Sequence, residues 1–121
     1  MAEIRRPPSI DAYGGGGFRV SGERVEGSIL ILDDTLRPWP VASRETLTVD
    51  DIAEVLAAGS RTVEFMLLGI GPKAVPPPPE LRKALQAARM GLEVMDTATA
   101  ARMYNVLAAE GRRLAAALIA I

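Results

Sequence analysis

The chain contains neither cysteine nor histidine among its 121 residues. Without cysteine there is no disulfide framework, no thiolate nucleophile and no sulfur-ligated metal. Without histidine, Ser-His-Asp and Cys-His triads, imidazole general bases and almost every zinc site are excluded as well. An enzyme built on this chain would have to work with carboxylates, Lys73, Tyr13, Tyr104, hydroxyls, backbone amides or a bound cofactor. An excess of either charge is also missing, because 14 basic against 15 acidic residues leave a net charge of -1. That balance gives no cationic footprint for nucleic acid or an anionic membrane, and the doublets Arg5-Arg6 and Arg112-Arg113 read as solvated surface. No apolar run approaches the ~18 residues of a membrane-spanning helix. The start, Met-Ala-Glu-Ile-Arg-Arg-Pro-Pro, has charges and prolines where a secretory signal places its apolar core. A soluble, cytoplasmic protein without metal, cofactor or membrane insertion is the expectation.

What is present is organised around residues 61–71, Arg-Thr-Val-Glu-Phe-Met-Leu-Leu-Gly-Ile-Gly, followed by Pro72. Val63, Phe65, Met66, Leu67 and Leu68 are too closely spaced for a strand wet on one face. Both faces should be covered, which makes this run the spine of a parallel or mixed sheet. A chain of this length forms one domain and buries roughly two thirds of its unfolded surface.

Residues 1–9, with Pro7 and Pro8, read as a flexible or loosely docked arm, and residues 10–121 as a single α/β domain. A short strand over 10–13 leads into four glycines, Gly14 to Gly17. A phosphate loop needs Gly-Lys-Ser/Thr at the mouth of a helix, whereas here an alternating Phe18-Arg-Val20 follows, so the run reads as a bulged connection. Residues 18–20 and 23–26 flank Ser21-Gly22 as an N-terminal β-hairpin. Residues 28–32 form a second buried strand. Residues 33–40 read as a loop holding Trp39 between two prolines that cannot join a ladder. That tryptophan is a packing plug over a core edge or, alternatively, an anchor for a partner protein.

From Thr48 the period turns helical, with Val49, Ile52, Ala53 and Leu56 on one face, Thr48 as N-cap and Gly59 as stop. Asp50 and Asp51 suit the first turn of that helix; being adjacent, they point in different directions and make a poor metal pair. Helices over 80–89 and 97–110 alternate with strands over 62–68 and 92–95, the latter two parallel with a crossover between them. The inner face of the last helix is assigned to Ala100, Met103, Tyr104 and Leu107. The tail, residues 112–121, suits helix and strand about equally. The resulting fold class is α/β, a mixed central sheet with helices packed on it. Such sheets bind small ligands beyond the carboxyl ends of parallel strands. The candidate ligand-binding residues are therefore Gly69 and Gly71 after one strand, and Asp96, Thr97 and Thr99 after the other. Free amides there could hold an anion, although Asp96 as an N-cap would occupy the same donors.

Ala12-Tyr-Gly-Gly-Gly-Gly-Phe-Arg-Val20, Gly27-Ser-Ile-Leu-Ile-Leu32, Leu68-Gly-Ile-Gly71, Pro78-Pro-Glu-Leu-Arg82, Glu93-Val-Met-Asp-Thr97 with Thr99, and Arg102-Met-Tyr-Asn-Val-Leu-Ala-Ala-Glu-Gly111 carry a resemblance. From about Ile10 to Ile121 the chain resembles the domain-of-unknown-function family that includes mitochondrial complex I assembly factor 3. The resemblance implies a compact mixed-sheet domain with a closing strand after Gly111. It further implies a non-enzymatic interaction protein whose partners are respiratory-complex subunits or assembly proteins. It supplies no catalytic residues, and Ile70 stands where many members have a hydroxyl between the two glycines. The alternative is a small-molecule or anion-binding domain using residues 69–71 and 96–99. In an enzyme, the polar groups to consider would be Lys73, Asp96, Tyr104 and Asn105. A homo-oligomer through an exposed sheet edge remains open.

Overall fold

The computed structural model describes residues 5–121. Among these residues eight strands form two sheets. β1 (Ile10–Gly14), β2 (Gly17–Val20) and β3 (Glu23–Glu26) make a small antiparallel meander. β4 (Ile29–Leu32), β5 (Thr35–Pro38), β6 (Phe65–Gly69), β7 (Gly91–Met95) and β8 (Leu114–Leu118) make the main sheet, in the order β5-β4-β8-β6-β7. Three helices, α1 (Ala53–Ala58), α2 (Pro79–Ala87) and α3 (Thr97–Ala109), complete the α/β fold.

The main sheet is mixed: β6 runs parallel to both β7 and β8, and β4 runs antiparallel to β8 and β5. The crossover through α2 leads from β6 to β7 on one side. The crossover through α3 then returns past β6 to β8 on the other. Parallel crossovers share one hand, so two that run in opposite directions along the sheet place their helices on opposite faces. The side chains record this. Leu30, Leu32, Met66, Leu68, Ala115 and Ala117 pack towards Val55, Leu81 and Leu85. The alternate residues Ile29, Ile31, Leu67, Ala116 and Leu118 pack towards Ala100, Ala101 and Tyr104. A strand used on both faces needs an unbroken apolar run, and every residue of β4, β6 and β8 is buried. Each large side chain so enclosed contributes about 1.5–3 kcal/mol.

Half of the expected loop at 33–40 is instead strand, Thr35–Pro38. Asp33 and Asp34 adopt φ of 51° and 59°, the two-residue turn that matches the twist of a hairpin, and β5 returns along β4. Pro38 does join the ladder, opposite Ile29; an outer strand has a side on which no N–H is required. The expected N-terminal hairpin gains β1 as a third strand, with Gly15 and Gly16 turning at φ of 62° and 81°. The helix expected from residue 49 begins as a 3-10 turn, Val49–Ile52, before α1. The ambiguous tail is β8, as the resemblance implied. Of the expected arm, residues 1–4 lie outside the described residues. Beyond them, the Arg5 guanidinium pairs with Asp34, and the Pro8 carbonyl accepts a hydrogen bond from the Tyr104 hydroxyl at 2.7 Å. No described helix is long and apolar enough to cross a membrane.

Candidate functional site

Gly69, Ile70 and Gly71 turn the chain at the carboxyl end of β6, and α3 begins beside them. The fit is close: a Cβ on Gly69 would lie 2.8 Å from Leu118 Cδ2 and 3.0 Å from Thr97 Cα. The structure therefore brings Gly69, Gly71, Asp96, Thr97 and Thr99 into one neighbourhood, as spacing along the two strands implied.

Their hydrogen-bonding groups are engaged within the chain. Ile70 N donates to Met95 O at 2.9 Å, and Thr97 N donates to Gly71 O at 2.8 Å. Thr97 is fully buried. Its Oγ1 accepts from Gly71 N at 3.0 Å and donates to Ile119 O at 2.7 Å, joining the β6 turn, the start of α3 and the end of β8. Asp96 caps α3, with one carboxylate oxygen 2.9 Å from Thr99 N and the other 2.7 Å from Thr99 Oγ1. These bonds from Thr99 hold the Asp96 carboxyl below the usual carboxylate range. The positive end of α3 is thereby already met by a fixed negative charge. The nearest opening lies to one side, a cavity of about 290 Å³ whose lining includes Arg44, Ile70, Gly71 and Lys73.

The other candidates have separate partners. Burial pushes the Tyr104 phenol well above its ordinary range while its hydroxyl holds Pro8. Asn105 behaves as a short strand against β1, accepting from Ile10 N at 2.9 Å and donating to Ile10 O at 2.8 Å. Lys73 lines the side cavity, away from both of these bonds. The Asp51 carboxylate accepts from Thr48 N at 2.8 Å, and no cluster of metal-ligating side chains occurs among the described residues. Trp39 is 4% exposed, packed in the α1 and α2 side of the core, and its Nε1 donates to Asp51 O at 2.8 Å. The indole thus plugs the core, and as a partner anchor it would first have to leave it.

Met103, assigned to the core from helical spacing, is instead 39% exposed, and Val106 beside it is 53% exposed. Met103 and Leu107 form one wall of a groove of about 320 Å³ whose floor is Phe65, Leu67 and Met95.

Residues 10–119 match the model of a family described as a protein of unknown function, DUF498/DUF598. The chain belongs to the DUF498/DUF598 family. Among DUF498/DUF598-like relatives, an uncharacterized protein of Rhodobacter capsulatus is 39% identical over 110 residues, covering 91% of this chain and 82% of its own. The mouse NADH dehydrogenase [ubiquinone] 1 alpha subcomplex assembly factor 3 is 33% identical over 98% of this chain. The chain spans 64% of that mouse protein's length. Among solved structures, a protein of Bartonella henselae described as an outer membrane protein superposes with a TM-score of 0.88 at 37% identity. That match covers 94% of this chain and 95% of the other.

Proposed function

We propose that this DUF498/DUF598 protein is a non-enzymatic interaction factor that supports assembly of respiratory complex I in the cytoplasm, through contacts with complex subunits or other assembly proteins. The observation that carries this reading is the extent of the match to the mouse assembly factor. It runs over 98% of this chain and so takes in both sheets and all three helices. The charge balance favours a protein partner over nucleic acid. A small-molecule site at Gly69, Gly71, Asp96, Thr97 and Thr99 would require those groups to surrender the hydrogen bonds they make within the chain.

The test is a pair of measurements in the native cells. Affinity capture of the tagged chain under mild solubilisation is expected to enrich NADH:ubiquinone oxidoreductase subunits or their assembly proteins. A strain lacking the gene is expected to accumulate partly assembled complex. A bait without companions, together with normal levels of assembled complex in the deletion strain, would overturn the proposal.

A further inference from the structure

The edge of β7 is unlike the other strand edges of the molecule. In a parallel ladder, alternate residues direct both backbone groups to the same neighbour. Gly91 N donates to Glu64 O and Met95 O accepts from Ile70 N, so Gly91, Glu93 and Met95 bond inward to β6. The N–H and C=O groups of Leu92 and Val94 therefore point away from the sheet, and among the described residues β7 has no second strand beside it. Elsewhere the edges are blunted in ways that suppress unwanted pairing. β5 carries Pro38 and the Arg37–Glu54 ion pair. β3 carries Glu23, Arg24 and Glu26. The Ile10 backbone on β1 is taken by Asn105.

The groove between α3 and the main sheet opens beside this bare edge, with Met95, Met103 and Leu107 as its apolar surface. Two charges border it, and they differ. Arg112 is committed, ion-paired to Glu64 at 3.1 Å with its guanidinium 5.1 Å from the Phe65 ring centre. Glu93 is exposed and has no ion-pair partner among the described residues. We propose that β7 and this groove capture an extended strand of a partner protein, with a basic residue opposite Glu93 and an apolar residue two positions away in the groove. The unpaired Leu92 and Val94 groups call for a strand rather than a helix. Alternation along that strand puts the basic and apolar residues on the same face. This deepens the interaction-factor reading and rests on it, by naming the surface through which a partner would be held.

The experiment titrates the full chain with the acetylated, amidated peptide Leu-Thr-Lys-Thr-Leu, followed by backbone amide NMR. Expected are shifts concentrated at Leu92, Val94, Met95 and Met103, absent when the three central peptide amides are N-methylated. A Glu-for-Lys peptide is expected to bind roughly three- to tenfold more weakly. The exposed Glu93→Lys variant should reverse that preference without loss of fold. Val94→Pro removes an outward N–H together with the Val94 side chain that packs on the core, so it should abolish binding and is read beside Val94→Ala, which loses the packing but keeps the N–H and should still bind. Equal binding of the N-methylated peptide, shifts located elsewhere, or no shifts at all would overturn the proposal. So would a chain that already pairs with its own second copy through β7, seen as a dimer by sedimentation. No respiratory subunit enters this readout. Failure of the complex I reading therefore leaves it intact, and failure here removes only this surface.

Discussion

Thr97 shows how a residue placed where a ligand might bind can instead hold the fold. Its hydroxyl is fully buried and both accepts and donates, so it joins three elements that are far apart in the chain. Thr97→Val keeps the shape and removes both bonds, leaving Gly71 N–H and Ile119 C=O without this partner. A loss of about 2–6 kcal/mol is expected by urea denaturation, from two buried groups each costing about 1–3 kcal/mol. Asp96 gives a prediction in pH. A carboxyl whose pKa is lowered on folding adds stability above its unfolded pKa, and that stability is lost as pH falls through the folded value. Asp96→Ala should therefore melt below the parent at neutral pH, and the gap should narrow once pH drops beneath the ordinary carboxylate range. A gap independent of pH from 7 to about 2 would show that the charge on the cap is irrelevant.

At the scale of elements, close packing of α3 on the sheet depends on small residues. Gly69 leaves no room for a methyl group between Leu118 and the Thr97 backbone. Gly69→Ala should cost about 1–3 kcal/mol through overpacking, with the largest amide shifts at Thr97 and Leu118. Which elements could be read in advance follows the same physics. β6 was legible because Phe65, Met66, Leu67 and Leu68 leave little alternative to a strand covered on both faces. β5 was not, because Thr35-Leu-Arg-Pro38 lacks a strong pattern and contains a proline tolerated only at an edge. β8 was undecided on the residues alone: Leu114-Ala-Ala-Ala-Leu118 has high helix propensity, and two flanking strands override it. The turn at 69–71 and the start of α3 were legible as neighbours. The Asp96 cap was legible too; the bonds of the Thr97 hydroxyl were not, because they depend on Ile119, a residue remote in sequence. Met103 was misplaced because α3 also faces the small sheet, which rotates its buried stripe towards Ala101 and Tyr104.

For the molecule as a whole, the last strand in the chain is the central strand of the sheet. β8 lies between β4 and β6 and is their only ladder connection, so the β4–β5 hairpin and the β6–α2–β7 unit are separate until it arrives. Each half then presents apolar faces without the strand that joins them. The small meander is also tied to this end, through Gly16 N donating to Ile121 O at 2.8 Å. A chain ending at residue 111 is expected to be unfolded, with poorly dispersed amide resonances. A synthetic peptide of residues 112–121 added in excess would be the only route back to native shifts. Because ordering β8 closes long loops before its contacts can form, refolding of the intact chain should be slow for its size, on the scale of milliseconds to seconds. Stopped-flow fluorescence of Trp39, which is buried in the core, would follow it. If the chain ending at 111 kept a cooperative melting transition, β8 would be an addition to a pre-existing sheet rather than the strand that makes the sheet one.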